Sequence, residues 1–241
     1  MNERQFVELA TEEGPDERGL RLSLVETFKI IHEKVKCLHC PWDAYHLADD
    51  ALSNWSVPGP IAEFGCFEGG MTCKLSHVAA ALGKQICVFD GFSGLPDDAQ
   101  YTVYEGLPPE LGSFSKGQFS CELGRFHENV SRHGRPDALR VHAGPIDETI
   151  DGLTDDPSLV FIDVDLIPTA RLIIKKMWPR MRNCKMFTHE ACLVDYMDAI
   201  LDSTWWRSEM GRSPPQTGHS GDKGFGLSLS VCLNFLLNDE R

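Results

Sequence analysis

No stretch of the chain is apolar for long enough to cross a bilayer. Spanning takes roughly 18 to 20 residues, and the longest candidate, Leu227 to Leu237, is interrupted by Ser228, Ser230 and Asn234. Basic charge is scarce as well. Lys and Arg total 23 against 36 Asp and Glu, a formal net charge of −13, which repels phosphate backbones and anionic lipid surfaces. Nucleic acid and membrane are thereby set aside as primary partners. The opening residues, MNERQFVELATEEGPDER, lack the basic and apolar regions of a signal peptide, so a cytoplasmic protein is expected. A disulfide framework is missing too. The nine cysteines are odd in number and irregularly spaced, and Cys73, Cys87, Cys192 and Cys232 sit in apolar runs, which reads as reduced, buried thiols. One close pair, Cys37-Leu-His-Cys40, has the spacing of half a zinc site or a redox motif. No second CxxC or close HxxxH completes a ligand set, and no strand precedes it, so it is set aside.

What is present is an alternation of strand and helix. The chain of 241 residues is long enough for one large domain, or one domain with an extension. Leu20, Leu22, Leu24, Val25, Phe28, Ile31 and Val35 recur at steps of mostly three and four, an amphipathic helix ending near Lys36. A second helical stretch from about Trp42 to Leu52 runs into Pro58-Gly59-Pro60, a breaker cluster, so residues 1–57 read as a helical extension or lid and residues 58–241 as the main domain. From there the strands IAEFGC, QICVFD, ALRVHAG, SLVFIDVDL and CKMFTHE are separated by helical segments, the last of them DYMDAILDSTWW. That order means crossover units, hence an α/β protein with a mostly parallel sheet and helices on both faces. The stretch GFGLSLSVCLNFLL is expected to add an antiparallel edge pair. The long segment from Pro96 to about Gln118, with Tyr101, Tyr104 and Phe114, reads as a lid or substrate wall.

In such sheets ligands bind beyond the carboxyl ends of the strands, where the strand order reverses. Strand one ends in Glu63-Phe-Gly65-Cys-Phe-Glu-Gly69-Gly70, whose glycines let a backbone approach a ligand and open a helix; this is neither GxGxxG nor a Gly-Lys-Ser/Thr phosphate loop. Strand two ends at Asp90, a carboxylate that can accept ribose hydroxyls or cap a turn. Strand four carries Asp163 and Asp165 after a wholly apolar run. Burying a carboxylate costs several kcal/mol unless it is paired, protonated or bound to a cation, so two at one strand end mark a site.

The motifs IAEFGCFEGGMT, VFDGFSGLP, GSFSKGQFS, HAGPIDETI and FIDVDLIPTA followed by WPR resemble those of the macrocin-type (TylF) O-methyltransferases, which use S-adenosylmethionine and magnesium to methylate sugar hydroxyls of natural products. The resemblance spans roughly residues 61 to 180. It implies a class I, Rossmann-like methyltransferase fold with S-adenosyl-L-methionine as cofactor and Mg2+ (or Mn2+) as metal. It puts Glu63 and the turn Gly65, Gly69 and Gly70 near the methionine moiety, Asp90 on the ribose, and Gly144 and Asp147 near the adenine. Asp163 is implied as a metal ligand beside the cofactor, and Asp165 as a base or supporting group. The implied acceptor is a small hydroxylated molecule, a secondary metabolite or its sugar. A homo-oligomer, a dimer through the N-terminal helices, is also expected.

The family pattern closes strand five with a carboxylate pair, where this chain has His189-Glu190. Glu190 retains an oxygen donor for a hard cation; His189 brings an imidazole better suited to manganese, iron or zinc, or to acting as a general base. Three readings stand: Asp163, His189 and Glu190 hold a metal; His189 is a base without one; or His189 packs structurally. His219, in a polar loop ahead of the last strands, is a second candidate base. Beyond these stand a non-catalytic cofactor-binding protein and a Rossmann-like enzyme of another nucleotide.

Overall fold

Strand residues that alternate between two apolar faces can be buried only if helices cover both sides, and that is what the chain builds. The computed structural model describes residues 1–10, 17–96, 116–182, 184–192, 194–215 and 224–227. In chain order the elements are α1 (Glu3–Glu8), α2 (Glu17–Lys34), α3 (Pro41–Ser53), β1 (Ile61–Phe64), α4 (Gly70–Ala81), β2 (Ile86–Asp90), α5 (Leu123–His133), β3 (Leu139–Ala143), α6 (Ile146–Thr149), β4 (Leu159–Ile162), α7 (Ile167–Met177), β5 (Lys185–Thr188), α8 (Val194–Ile200), α9 (Ser203–Met210) and β6 (Gly224–Leu227). The six strands form one sheet in the order β3-β2-β1-β4-β5-β6, every pairing parallel. The order reverses between β1 and β4, which pair Phe64 with Ile162 at their carboxyl ends.

Alternation along the strands sorts the core into two layers. Ile61, Ile86, Val88, Leu159, Phe161 and Phe187 face a cluster that includes Phe6, Leu24, Phe28, Val35, Tyr45 and Leu47, while Ala62, Phe64, Phe89, Val160, Ile162 and Met186 face Ile173, Ile174, Met177, Trp178, Tyr196 and Trp206. The first three helices thus share their buried cluster with the sheet and with α4. Arg21, fully buried, ties them together: it bonds Glu17 and Asp49 at 2.7 Å, the Phe6 carbonyl at 3.1 Å, and lies over the Phe6 ring. Lys185 on β5 reaches the buried Asp50 of α3 at 2.6 Å.

Several expected boundaries shift, each for a local reason. The fourth strand stops at Ile162 instead of Leu166, because Asp165 takes a left-handed φ of +57° and the Leu166 N–H turns back to the Val164 carbonyl at 2.5 Å. The fifth strand stops at Thr188, and His189–Cys192 form 3-10 turns broken by a kink at Glu190. The helix expected through DYMDAILDSTWW is two helices, since the Asp202 carboxylate caps the Trp205 N–H at 2.6 Å and starts a new one. The antiparallel edge pair is corrected for its described part. Gly224–Leu227 runs parallel to β5, and the rest of that stretch lies outside the described residues. The segment 97–115, with Tyr101, Tyr104 and Phe114, and the candidate base His219 lie outside the described residues. Among the described residues no helix is long and apolar enough to cross a membrane.

Candidate active site

The glycines after β1 are dictated by packing as well as by any ligand. Gly65 has φ +85°, and a Cβ there would lie 1.7 Å from the Asp163 carbonyl oxygen, so only glycine lets the ends of β1 and β4 approach. Gly69, also at φ +85°, precedes α4; a Cβ on Gly70 would meet the Cβ of Cys37 at 2.6 Å. The segment after α2 therefore lies directly on the start of α4. This places the Cys37-Leu-His-Cys40 motif at the switch point of the sheet.

Asp90 ends β2 with its carboxylate turned into the glycine turn. Its Oδ2 accepts the N–H of Cys66 at 2.7 Å and of Phe67 at 3.3 Å, and Oδ1 accepts that of Phe92 at 2.6 Å. A carboxylate offers about four lone-pair sites, so one remains, on Oδ1, for a ribose hydroxyl. The bonds also hold strained backbone: Phe67 and Phe92 have φ of +50° and +55°. With Asp165 and Phe119 they make up the non-glycine residues of positive φ among those described, and all four lie at these strand ends or at the cleft beside them. Strain of this kind collects at functional sites. Gly144 follows β3 beside Asp90, its N–H bonded to the Asp90 carbonyl at 2.9 Å, and Asp147 in α6 is exposed.

Beneath α4 the acidic residues meet. Glu63 is fully buried on the α4 face of β1, and neither carboxylate oxygen has a partner within hydrogen-bond distance. Burial pushes its carboxyl up to about 8, with Thr72 and His39 offsetting only part of the effect. Asp163 instead meets His39, whose Nε2 is 3.0 Å from Oδ2. Burial pushes the Asp163 carboxyl up, but His39 and then His189 outweigh it and hold it below the usual carboxylate range. Asp165 is pushed up to about 8 by burial and by Asp163. Glu190 is held well above the usual range by burial and by both aspartates, and its Oε2 accepts the Thr188 hydroxyl at 2.8 Å.

The cations of the site are arranged in a chain. His39 Nδ1 is 3.3 Å from Cys37 Sγ, and the buried Lys74 reaches the same sulfur at 3.7 Å. Burial pushes the Cys37 thiol up, yet Lys74 and His39 outweigh it and hold it well below its ordinary value. Burial depresses His39, but Asp163 and Cys37 overcome that and hold it well above the usual imidazole value. His189, whose ring meets that of His39 edge-on at 4.3 Å, is lowered by burial and by the His39 charge. One atom each from His39, Asp163 and His189 can be chosen so that all three lie within 4.8 Å of one another. Of the three metal ligands read from the sequence, then, Asp163 and His189 share this group with His39, while Glu190 stands outside it, with Oε2 on the Thr188 hydroxyl and its carboxyl beside Asp163. His39 was missed although its motif had been singled out. The missing half of a ligand set lies far along the chain, at the ends of β4 and β5.

Next to the glycine turn is a cleft of about 400 Å³ lined by Lys36, Leu38, Phe67, Glu68 and Phe119, within the size range of small-molecule sites. No family model matches the chain, and no curated protein matches it. Among solved structures the O-methyltransferase NovP superposes with a TM-score of 0.62 at 14% identity, over 84% of this chain and 96% of that one. The calicheamicin methyltransferase CalS11 superposes with a TM-score of 0.54 at 16% identity, over 90% and 92%. The fold is that of the class I S-adenosylmethionine-dependent methyltransferases. At these identities the likeness is one of fold, and the residues fit the cofactor in two respects. An unpaired, buried carboxylate at Glu63 suits a cationic ligand, and Asp90 keeps a free acceptor position beside the turn.

Proposed function

We propose that the protein is an S-adenosylmethionine-dependent O-methyltransferase acting on a hydroxyl of a small molecule, a secondary metabolite or its sugar, with a divalent metal held by Asp163 and His189. The observation that carries the reading is the concentration of carboxyls at the switch point of a class I methyltransferase sheet, with Glu63 buried and unpaired. Such a site suits a sulfonium bearing an ammonium group and disfavours a phosphate. When bound, the cofactor supplies an electrophilic methyl group. Transfer of that group to an acceptor hydroxyl would free the hydroxyl's proton, which a base of the chain would have to take.

The chain's own groups divide that work. Asp90 and the glycine turn orient the ribose, and Glu63 balances positive charge. Asp163, kept ionised, supplies the anionic metal ligand. A metal at this place would lower the acceptor's pKa and fix its position. Burial and the His39 charge hold the His189 imidazole below its usual value, which favours its neutral form and supports a second reading in which it serves as base without metal. Calorimetric titration of S-adenosylmethionine and its demethylated product into chelator-treated protein tests the cofactor reading. Micromolar binding is expected, and no binding in any buffer overturns it.

A further inference from the structure

We propose that His39, Asp163 and His189 together form a transition-metal site of two imidazoles and one carboxylate, taking manganese, iron(II), cobalt or zinc in preference to magnesium. The inference rests on the metal-assisted reading above and extends it in ligand set and in metal. Its three groups come from three separate parts of the fold: His39 from the segment between α2 and α3, Asp163 from the end of β4, and His189 from the end of β5. They converge because the segment around Cys37 packs on Gly70 and drops His39 onto the strand ends.

The geometry is that of a ligand set before it closes on an ion. His39 Nε2 and Asp163 Oδ2 are 3.0 Å apart, about the separation of neighbouring ligand atoms on a metal with bonds of roughly 2.1 Å. The ligand atoms of all three residues lie within 4.8 Å of one another, and the two imidazole rings meet edge-on with centroids 4.3 Å apart, leaving ring rotation to bring them together. A ligating histidine is ordinarily fixed through its other ring nitrogen. Here His39 Nδ1 faces Cys37 Sγ at 3.3 Å, and Lys74 reaches the same sulfur at 3.7 Å. This leaves Nε2 as the nitrogen directed at Asp163.

The donor types decide the metal. Magnesium requires oxygen ligands in near-ideal octahedra, whereas two imidazoles and a carboxylate suit the later divalent ions and leave coordination positions open for substrate oxygens. Glu190 keeps Oε2 on the Thr188 hydroxyl at 2.8 Å and lies beside Asp163, an oxygen group next to the three ligands and outside their set.

The test uses the full chain, freed of metal by chelator and then titrated with Co2+, Mn2+, Zn2+ and Mg2+, with S-adenosylmethionine titrated separately. One Co2+ per chain is expected at micromolar affinity, with visible absorption bands of an imidazole-ligated ion and no displacement by millimolar Mg2+. His39→Gln and His189→Gln should each weaken Co2+ at least about 30-fold; Glu190→Gln should change it less than about threefold. Two variants at separate positions keep the test decisive where one does not fold. Failure of all four ions to bind overturns the proposal. So does Co2+ affinity unchanged in His39→Gln, which would leave His39 as an ion-pair partner of Asp163, or Mg2+ binding as tight as Co2+. Cofactor binding reports separately: metal bound without S-adenosylmethionine would overturn the methyltransferase reading and leave the metal site standing.

Discussion

Replacing Glu63 by glutamine is expected to stabilise the protein by an amount that grows with pH. The side chain is fully buried, and its carboxyl is raised from 4.5 to about 8 by burial. Between those two values the unfolded chain has released a proton that the native protein retains. The contribution to native stability is therefore fully present below about pH 4.5, declines as pH rises, and is lost by the time pH passes about 8. At ~1.36 kcal/mol per pH unit the gap amounts to roughly 4 to 5 kcal/mol above pH 8, and to about 3 kcal/mol at neutral pH. Glutamine keeps the shape and cannot ionise. Its amide hydrogens, if unmatched, add a destabilisation of about 1 to 3 kcal/mol that does not depend on pH. The informative quantity is thus the slope. Urea unfolding of both proteins from about pH 5 to about pH 9 should show the variant gaining roughly 3 to 4 kcal/mol on the parent across that range. Parallel curves would refute the reasoning, because they would mean that Glu63 ionises as readily in the folded protein as in the unfolded chain.

Asp90→Asn removes the charge from an acceptor of three backbone N–H groups, so a loss of about 2 to 4 kcal/mol in unfolding free energy is expected; calorimetry should also show S-adenosylmethionine binding weakened at least about tenfold, and unchanged affinity would remove the ribose assignment. Gly65→Ala places a methyl group 1.7 Å from the Asp163 carbonyl oxygen at a φ of +85°, and should cost at least about 3 kcal/mol by thermal or urea unfolding. Arg21→Ala strands the Glu17 and Asp49 carboxylates and the Phe6 carbonyl, for an expected loss of about 3 to 5 kcal/mol; Arg21→Met, which refills the volume, should cost less. Equal losses in the two Arg21 variants by urea unfolding would show that packing, and not charge pairing, is what Arg21 supplies.

The sheet was legible because its strands are short apolar runs closed by glycine or acid, each followed by a helix-period stretch; Ile61 begins its strand where the pattern put it, and Ile86, Leu159 and Lys185 begin theirs one residue later. Strand ends were less legible. The strand-four end turns at Asp165 beside the close approach of Gly65 to the Asp163 carbonyl, and that approach joins residues nearly a hundred positions apart. The direction of the edge strand was not legible, because an alternating apolar run carries no sign of which way it pairs, and Gly224–Leu227 pairs parallel to β5. In the site, Glu63, Asp90, Asp163 and His189 announced themselves by position at strand ends. His39 did not. Its partner close in sequence is Cys37, and Asp163 and His189 reach it only through the packing of α2 and α3 over α4.

That packing also bears on which ligand class the site can accept. A dinucleotide or nucleoside triphosphate site needs an open helix N-terminus and free cations for its phosphates. Here the start of α4 lies under Cys37, and Lys74 in that helix is buried against the Cys37 sulfur. Glu63, Asp163, Asp165 and Glu190 add four carboxyls to the same region, three of them raised because burial leaves them short of positive charge. A phosphate brought beneath α4 would meet these acids, with the described cations there, Lys74 and His39, already held by Cys37 and Asp163, while Lys36 lies exposed at the cleft outside. A sulfonium, an ammonium group or a metal ion would bring the charge that those acids lack. Among Rossmann-like alternatives, the electrostatics therefore favour the cationic cofactor over an anionic nucleotide, and they do so independently of the likeness in fold.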